Sequence, residues 1–154
     1  MSELEGKPVP AFDMPTADGD RVSDGALKGK PYVLYFYPKA DTPGCTTEGK
    51  DFSALMDEFA AAGARVIGVS KDTVRKLSNF KAKHDLTVTL ASDEDESVCE
   101  AFGTWVEKSM YGRTYMGIER ATFLVDAGGV IRRHWPKVKV KGHAEAVLEA
   151  VRGL

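Results

Sequence analysis

The chain reads YVLYFYPKADTPGCTTEGK from Tyr32 to Lys50. Six apolar or aromatic strand formers open this stretch, and a helix-like pattern begins after the Pro and Gly residues that follow. This change from a strand pattern to a helix pattern places Cys45 at the N-terminus of a helix. Because the first N–H groups of a helix lack intrahelical partners and its dipole favours negative charge there, we expect Cys45 to be an unusually acidic thiol. The thiolate, not the thiol, is the nucleophilic form of cysteine.

Strand patterns recur at intervals along the chain. The segments are short and rich in β-branched and aromatic residues: Tyr32–Tyr37, Arg65–Ser70, Thr87–Leu90, Ala121–Val125 and Val130–Trp135. The turn sequence 126–129, which reads DAGG, predicts a hairpin between the last two strands.

Helix patterns lie between and after these strands. Their apolar residues are spaced by three and four: Phe52, Leu55, Met56 and Phe59; Val74, Leu77 and Phe80; Val147, Leu148 and Val151. Gly63 is the predicted C-cap of the first helix and Asp72 the predicted N-cap of the second. Since Cys45 lies seven residues before Phe52, we expect the thiol to face inward and to be partly sheltered. The order of elements predicts an α/β domain with a thioredoxin-like fold, a central mixed β-sheet flanked by helices.

Composition predicts one globular domain over residues 1–154, with 43% hydrophobic and 29% charged residues. The stretch Met1–Phe12 has neither a basic start nor an apolar run, so we expect no signal peptide and a cytoplasmic location. A net charge of −2 with dispersed Lys and Arg gives no reason to expect nucleic acid or a membrane as partner. The densest basic stretch, Lys137–Lys141, alternates with valines and is interpreted as the solvated face of an edge strand.

The chain contains two cysteines, Cys45 and Cys99, which is too few for a disulfide-stapled secreted scaffold and fits a reducing compartment. Any disulfide is therefore expected to be transient. The sequence has no Cys-x-x-Cys pair, which argues against a dithiol reductase. His84, His134 and His143 share no spacing with the cysteines that is typical of zinc sites, so we expect no metal and no other cofactor.

The spacing Pro38-x-x-x-Thr42-x-x-Cys45 resembles the active-site signature of peroxiredoxins. The wider string from Tyr37 to Glu48, together with 92–95 (SDED) and 117–120 (GIER), resembles the Q-type, or bacterioferritin-comigratory, subfamily. The resemblance runs from about Gly6 to the last helix pattern.

This resemblance implies that the protein reduces hydrogen peroxide and organic hydroperoxides. Cys45 would be the peroxidatic cysteine, which becomes a sulfenic acid and is returned to the thiol by thioredoxin, glutaredoxin or a low-molecular-weight thiol. Thr42 would form hydrogen bonds with the thiolate and the peroxide, and Pro38 would cover the pocket. Arg120 matches the family's active-site arginine, whose planar fork can hold both thiolate and peroxide.

The chain departs from the subfamily where a resolving cysteine is found in many members. The two positions that carry it there correspond to Lys50 and to about Lys81 here. Two cycles therefore stay open: a one-cysteine enzyme served by an external thiol, or an unusual two-cysteine enzyme in which Cys99 resolves Cys45. Cys99 lies among apolar residues in a helix-like segment, and a free cysteine often serves as a small core residue. A bridge would require the two Cα atoms to approach within about 7 Å, which implies unwinding of the first turn around Cys45.

Two alternatives use the same residues. Oxidation of Cys45 could act as a signal in a redox-sensing binding or chaperone-like protein, which catalytic rate would separate from a peroxidase. The spacing of Gly44, Gly49 and Lys50 also resembles a phosphate-binding loop, but Asp51 stands where a metal-binding hydroxyl belongs, and its carboxylate would repel phosphate. No long exposed apolar helix is evident, so we expect a monomer or a weak dimer.

Overall fold

The computed structural model describes residues 3–154, so residues 1 and 2 of the predicted domain lie outside the described residues. The strands are β1 Asp13–Pro15, β2 Arg21–Ser23, β3 Tyr32–Phe36, β4 Arg65–Ser70, β5 Thr89–Ser92, β6 Trp105–Met110, β7 Arg113–Ile118, β8 Ala121–Val125 and β9 Ile131–Trp135. The helices are α1 Asp24–Leu27, α2 Pro43–Ala54, α3 Met56–Ala61, α4 Val74–Lys83, α5 Ser97–Ala101 and α6 His143–Arg152. Within residues 3–154, none of the helices is long and apolar enough to cross a membrane.

The centre of the fold is a mixed five-stranded sheet in the order β5-β4-β3-β8-β9. β3, β4 and β5 run parallel, whereas β8 and β9 are antiparallel to their neighbours. The parallel strands need helical crossovers, which α2, α3 and α4 supply. This confirms the predicted mixed sheet flanked by helices.

The two faces of the sheet carry two separate core clusters. Alternate residues of β3 and its extension divide between them: Tyr32, Leu34 and Phe36 join one cluster, and Val33, Tyr35 and Tyr37 join the other. The division follows from the two-residue period of a strand. The first cluster lies against α1, α5 and the small β1–β2 sheet, and the second lies against α2, α3, α4 and α6. Because both faces are covered, the central strand is apolar at every position.

The predicted strands hold, with one shifted by two residues. The bounds of β4 and β8 are as predicted, β3 ends one residue early and β9 starts one residue late. The strand predicted over Thr87–Leu90 is β5, Thr89–Ser92. Thr87 does not join the ladder because its N–H donates to Ser53 Oγ at 2.9 Å.

The predicted helices hold with three corrections. The helix that begins near Cys45 is broken at Leu55 (φ −102°, ψ 6°) into α2 and α3. The N-cap of α4 is Thr73, whose hydroxyl accepts from the N–H of Lys76 at 3.2 Å, and not Asp72. The C-cap of α3 is Ala62 and not Gly63, which follows it with φ 83°, in the left-handed conformation that glycine commonly adopts after a helix.

Two further differences lie near the site described below. The hairpin β6–β7 was not predicted from the sequence. The expectation of an edge strand at Lys137–Lys141 is wrong, because that segment is an irregular loop in which Lys137 has φ 48°. The N–H of Val138 donates to the carbonyl of Arg120 at 2.9 Å, which holds the loop beside the start of β8.

Candidate active site

Cys45 lies in the first turn of α2, shortly after the end of β3. Pro43 opens the helix, at a position where a missing N–H is no loss. Thr42 precedes it with extended backbone (φ −95°, ψ 157°), and its side chain makes no capping hydrogen bond. The positive end of the helix dipole is therefore left directed at the thiol. Cys45 and Phe52 are both buried in the same core cluster, as their seven-residue spacing predicts.

Two carboxylates hold the loop that precedes Cys45. Asp72 accepts the N–H of Ala40 at 2.8 Å, so the residue predicted as a helix cap instead ties this loop to the end of β4. Asp41 has φ 62° and bonds to His84 at 2.7 Å and to Lys83 at 2.8 Å, both at the end of α4. The hydrogen bonds from His84 and Lys83 lower the pKa of Asp41 and keep it ionised. Two adjacent residues thereby tether the loop, Ala40 to the end of β4 and Asp41 to the end of α4.

Arg120 lies at the junction of β7 and β8, and its side chain contacts the Cys45 thiol. Its Nη2 lies 3.4 Å from Cys45 Sγ and its Nη1 lies 2.7 Å from Glu48 Oε1. Burial lowers the pKa of the Arg120 guanidinium, but the interactions with Glu48 and Cys45 together have the larger, opposite effect. The pKa of Arg120 is therefore raised. The two arms of one guanidinium therefore contact a thiol and a carboxylate at once.

The alternation of β8 explains why Arg120 faces Cys45. Leu124 lies in the same core cluster as Cys45, and a two-residue period places Thr122 and Arg120 on that same face. Gly44 leaves room for the guanidinium, since a Cβ at this position would lie 3.1 Å from Arg120 Nη2. Sequence proximity predicts none of this, because 75 residues separate Cys45 from Arg120.

Glu48 belongs to the site more closely than its sequence position indicates. The Glu48 side chain is 1% exposed and pairs with Arg120. Burial raises its pKa to about 7, against the opposing effect of Arg120. Its Oε2 has no hydrogen-bond partner within residues 3–154. The signal that could have identified it is its spacing of three from Cys45, which puts both side chains on one helix face.

Thr42 and Pro38 lie beside the thiol in sequence but differ in what the structure shows of them. The Thr42 hydroxyl donates to the carbonyl of Lys39 at 2.8 Å. A hydroxyl has one proton, so Thr42 presents acceptor lone pairs rather than a donor to an incoming group. Pro38 is half-buried at the bend after β3, and its covering of the pocket stays a prediction.

Cys99 lies on the other side of the central sheet. It is fully buried in the cluster formed with α1 and α5, whereas Cys45 is buried in the cluster formed with α2. The backbone N–H of Cys99 donates to Asp93 Oδ2 at 2.7 Å, and burial together with Asp93 raises the pKa of its thiol. The structure therefore does not bring the two cysteines together.

Comparison with known proteins agrees with this architecture. The profile of the AhpC/TSA family matches residues 6–134. The chain is 49% identical over 148 residues to a putative peroxiredoxin Bcp of Coxiella burnetii, a match that covers 96% of this chain and 98% of that protein.

Solved structures give the same result. The bacterioferritin comigratory protein of Xanthomonas campestris superposes with a TM-score of 0.88 at 47% identity, covering 92% of this chain and 90% of that one. A peroxiredoxin Q mutant of Xylella fastidiosa superposes with a TM-score of 0.93 at 37% identity, covering 99% and 98%. These likenesses confirm the thioredoxin-like fold. The chain belongs to the AhpC/TSA family of peroxiredoxins, in its Q-type, bacterioferritin-comigratory branch.

Proposed function

We propose that this protein is a thiol peroxidase that reduces hydrogen peroxide and organic hydroperoxides through Cys45. The observation that carries the proposal is the contact of 3.4 Å between Arg120 Nη2 and Cys45 Sγ at the start of a helix. The similar protein of Xanthomonas campestris has been studied for alkyl peroxide reduction. A fixed cation at a buried thiol is the arrangement that favours a thiolate nucleophile.

In the proposed reaction, the Cys45 thiolate attacks the terminal oxygen of the hydroperoxide and the O–O bond breaks. Sulfur loses two electrons and becomes a sulfenic acid, while the other oxygen takes up a proton and leaves as water or alcohol. Thr42 would accept a hydrogen bond from the hydroperoxide O–H, since its own proton is donated to Lys39. Arg120 would orient the peroxide and stabilise the negative charge that develops on it. Pro38 would keep water from the sulfenic acid.

Hydrogen-bond donors positioned at the reacting oxygen must supply most of the rate acceleration in peroxide reduction. For a thiol, lowering the pKa from about 8.5 to about 6 raises the thiolate fraction at pH 7 about 30-fold. A Brønsted slope of about 0.45 removes roughly 13-fold of nucleophilicity in return, which leaves a gain of only about twofold. Groups aimed at the departing oxygen are therefore needed for a fast peroxidase.

The packing favours the one-cysteine cycle. Cys45 and Cys99 lie in different core clusters on opposite faces of the sheet, and a bridge requires Cα atoms within about 7 Å. Lys50 and Lys81 offer no sulfur in their place. An external thiol would attack the sulfenic acid, release water and form a mixed disulfide, which a second thiol reduces. Thioredoxin, glutaredoxin or a low-molecular-weight thiol would serve as this reductant.

We further propose a single-domain protein, monomeric or weakly dimeric, that works in the cytoplasm. The support for that compartment is chemical: Cys45 and Cys99 are both free and buried, and no disulfide contributes to the fold of residues 3–154.

The test uses the reduced wild-type protein beside the variants Cys45→Ser and Cys99→Ala. After one equivalent of hydrogen peroxide, we expect a trappable sulfenic acid at Cys45 in the wild type and in Cys99→Ala, and none in Cys45→Ser. Steady-state turnover with each candidate reductant should be lost only in Cys45→Ser. Peroxidase activity retained by Cys45→Ser would overturn the assignment.

Two other outcomes are informative. A loss of two mass units in the wild type, with no trapping, would mean that Cys99 resolves Cys45 after all. Slow, stoichiometric oxidation without turnover would favour the redox-sensing role.

A further inference from the structure

Asp41 has a backbone conformation that is unusual for a residue other than glycine. Its φ is 62°, in the left-handed region, where a Cβ is disfavoured even though aspartate tolerates it better than most residues. Asp41 forms a turn with Ala40 and is followed directly by Thr42, whose backbone is extended. Such a conformation persists only where the surrounding structure holds it, and it is common at active sites. The turn therefore requires contacts that keep Asp41 in place.

The side chain of Asp41 is held by two residues at the end of α4. Its Oδ1 lies 2.7 Å from His84 Nε2, and its Oδ2 accepts from Lys83 Nζ at 2.8 Å. The Lys83 side chain is 63% exposed, and an ion pair with so exposed a partner contributes little. The His84 side chain is 18% exposed, and its ring packs edge-on against buried Phe80, with 5.5 Å between the ring centroids. His84 is therefore the partner that fixes Asp41.

On the other side of Asp41, the chain enters the first turn of α2. The Thr42 hydroxyl donates to the carbonyl of Lys39 at 2.8 Å, across the turn. The carbonyl of Thr42 accepts the N–H of Thr46 at 2.9 Å, which is the first hydrogen bond of the helix. Both bonds depend on the direction in which the chain leaves Asp41. Since Cys45 lies in this first helical turn, the conformation of Asp41 affects the orientation of the thiol.

Reaction at Cys45 requires a fixed orientation. Arg120 Nη2 lies 3.4 Å from Cys45 Sγ, and the two residues belong to distant parts of the chain, so each must be placed by its own surroundings. A displacement of about 1 Å at a reacting group can lower a rate by about 10²-fold. We propose that Asp41 is a positioning residue for peroxide reduction and that His84 holds it. Asp41 keeps the turn before α2 in the conformation that orients Thr42 and Cys45 toward the peroxide. This role rests on the peroxidase function proposed above.

Positioning differs from a purely structural role in the quantities that it changes. The Asp41 side chain is 45% exposed, and surface ion pairs contribute little to the free energy of unfolding. Its removal should therefore loosen the turn and leave the fold stable. Alkylation of Cys45 by iodoacetamide requires the thiolate but no second group aligned with a peroxide oxygen. A loss confined to the reaction with peroxide is the result that positioning predicts.

The variants separate the backbone conformation from the side-chain contact. Asp41→Gly keeps the left-handed conformation accessible but removes the contact with His84, whereas Asp41→Asn keeps an acceptor and tolerates that conformation. His84→Phe keeps a ring against Phe80 and removes the nitrogen that contacts Asp41. Lys83→Met removes the exposed partner alone. Asp85→Gly is the matched control, because Asp85 is an exposed aspartate with φ 52° just after α4.

The rates of oxidation by hydrogen peroxide and of alkylation would be measured in single turnovers as functions of pH. They would be compared at their alkaline plateaus, where the thiol is fully ionised. Urea unfolding would report the stability of each variant.

Oxidation of Cys45 is expected to be about 10-fold slower in Asp41→Gly and in His84→Phe. The double variant should be no slower than either single variant, because both substitutions remove the same contact. Asp41→Asn should recover most of the rate, and Lys83→Met and Asp85→Gly should match the wild type. The alkylation rate and the urea midpoint should be nearly unchanged in every variant.

Wild-type oxidation rates in Asp41→Gly and His84→Phe would overturn the proposal. Equal losses in oxidation and alkylation would also overturn it, because the thiol itself would then have changed. So would a loss in Asp85→Gly as large as that in Asp41→Gly, since backbone freedom beside α4 would then be sufficient. Failure of the wild type to be oxidised by peroxide would instead refute the peroxidase function on which the proposal rests.

Discussion

Replacing Glu48 by glutamine is expected to stabilise the protein at alkaline pH and to leave its stability unchanged at mildly acidic pH. The Glu48 side chain is 1% exposed, one of its oxygens lacks a partner within residues 3–154, and burial raises its pKa from 4.5 to about 7 even though Arg120 lies 2.7 Å away. Desolvation of the carboxylate thus exceeds its attraction to the guanidinium.

The sign follows from proton binding. The folded protein holds the Glu48 proton to a higher pH than the unfolded chain does, so folding takes up a proton between the two pKa values, 4.5 and about 7. The contribution of Glu48 to stability is therefore complete below the unfolded value and is lost as pH rises through the folded value. At about 1.4 kcal/mol for each pKa unit, the loss is of the order of 3 kcal/mol above neutral pH.

The assay is urea unfolding at a series of pH values from about 4 to 8, in a Cys45→Ser background that prevents oxidation at this position. The glutamine amide resembles the protonated acid, so the stability advantage of Glu48→Gln should grow from near zero to about 3 kcal/mol across the series. Glu145→Gln is the control, because it removes an exposed carboxylate of the same charge. An advantage that stays constant with pH, or a wild type that gains stability relative to Glu48→Gln as pH rises, would refute this reasoning.

Two other predictions concern single contacts, and the first is that Gly44→Ala places a Cβ 3.1 Å from Arg120 Nη2, so that the guanidinium must shift. We expect slower oxidation of Cys45 with little change in the free energy of unfolding. An unchanged oxidation rate would show that Arg120 needs no fixed position. Thr122→Val removes the 2.7 Å bond to buried His143 and should lower the free energy of unfolding by about 1–3 kcal/mol, whereas Thr122→Ser should not; equal effects of the two substitutions in urea unfolding would contradict the role of this bond.

Local patterns predicted most of the elements because their signals are confined to a few residues. The apolar run that became β3, the helix spacing behind Cys45 and the turn before β9 each depend on neighbours in sequence. The hairpin β6–β7 escaped prediction because most of its residues are exposed or half-buried, so its sequence lacks the alternation of apolar and polar residues that marks a strand. The loop 137–141 has the alternation of a strand, but the bond from Val138 to Arg120 gives its backbone another partner.

The sequence by itself determined the class of fold and the family resemblance, and it singled out Cys45 as the candidate nucleophile, because Cys45 and the residues that place it on a helix end are contiguous in the chain. The family resemblance named Arg120, but tertiary structure alone decided how distant groups contact that thiol. The pairing of β3 with β8 places Arg120 beside the sulfur of Cys45, although 75 residues separate the two in sequence. The burial of α2 makes Glu48 a buried ion-pair partner of Arg120 and not a surface charge. The sequence likewise does not predict that Cys45 and Cys99 lie on opposite faces of the central sheet. The face on which each side chain lies depends on how distant segments pack.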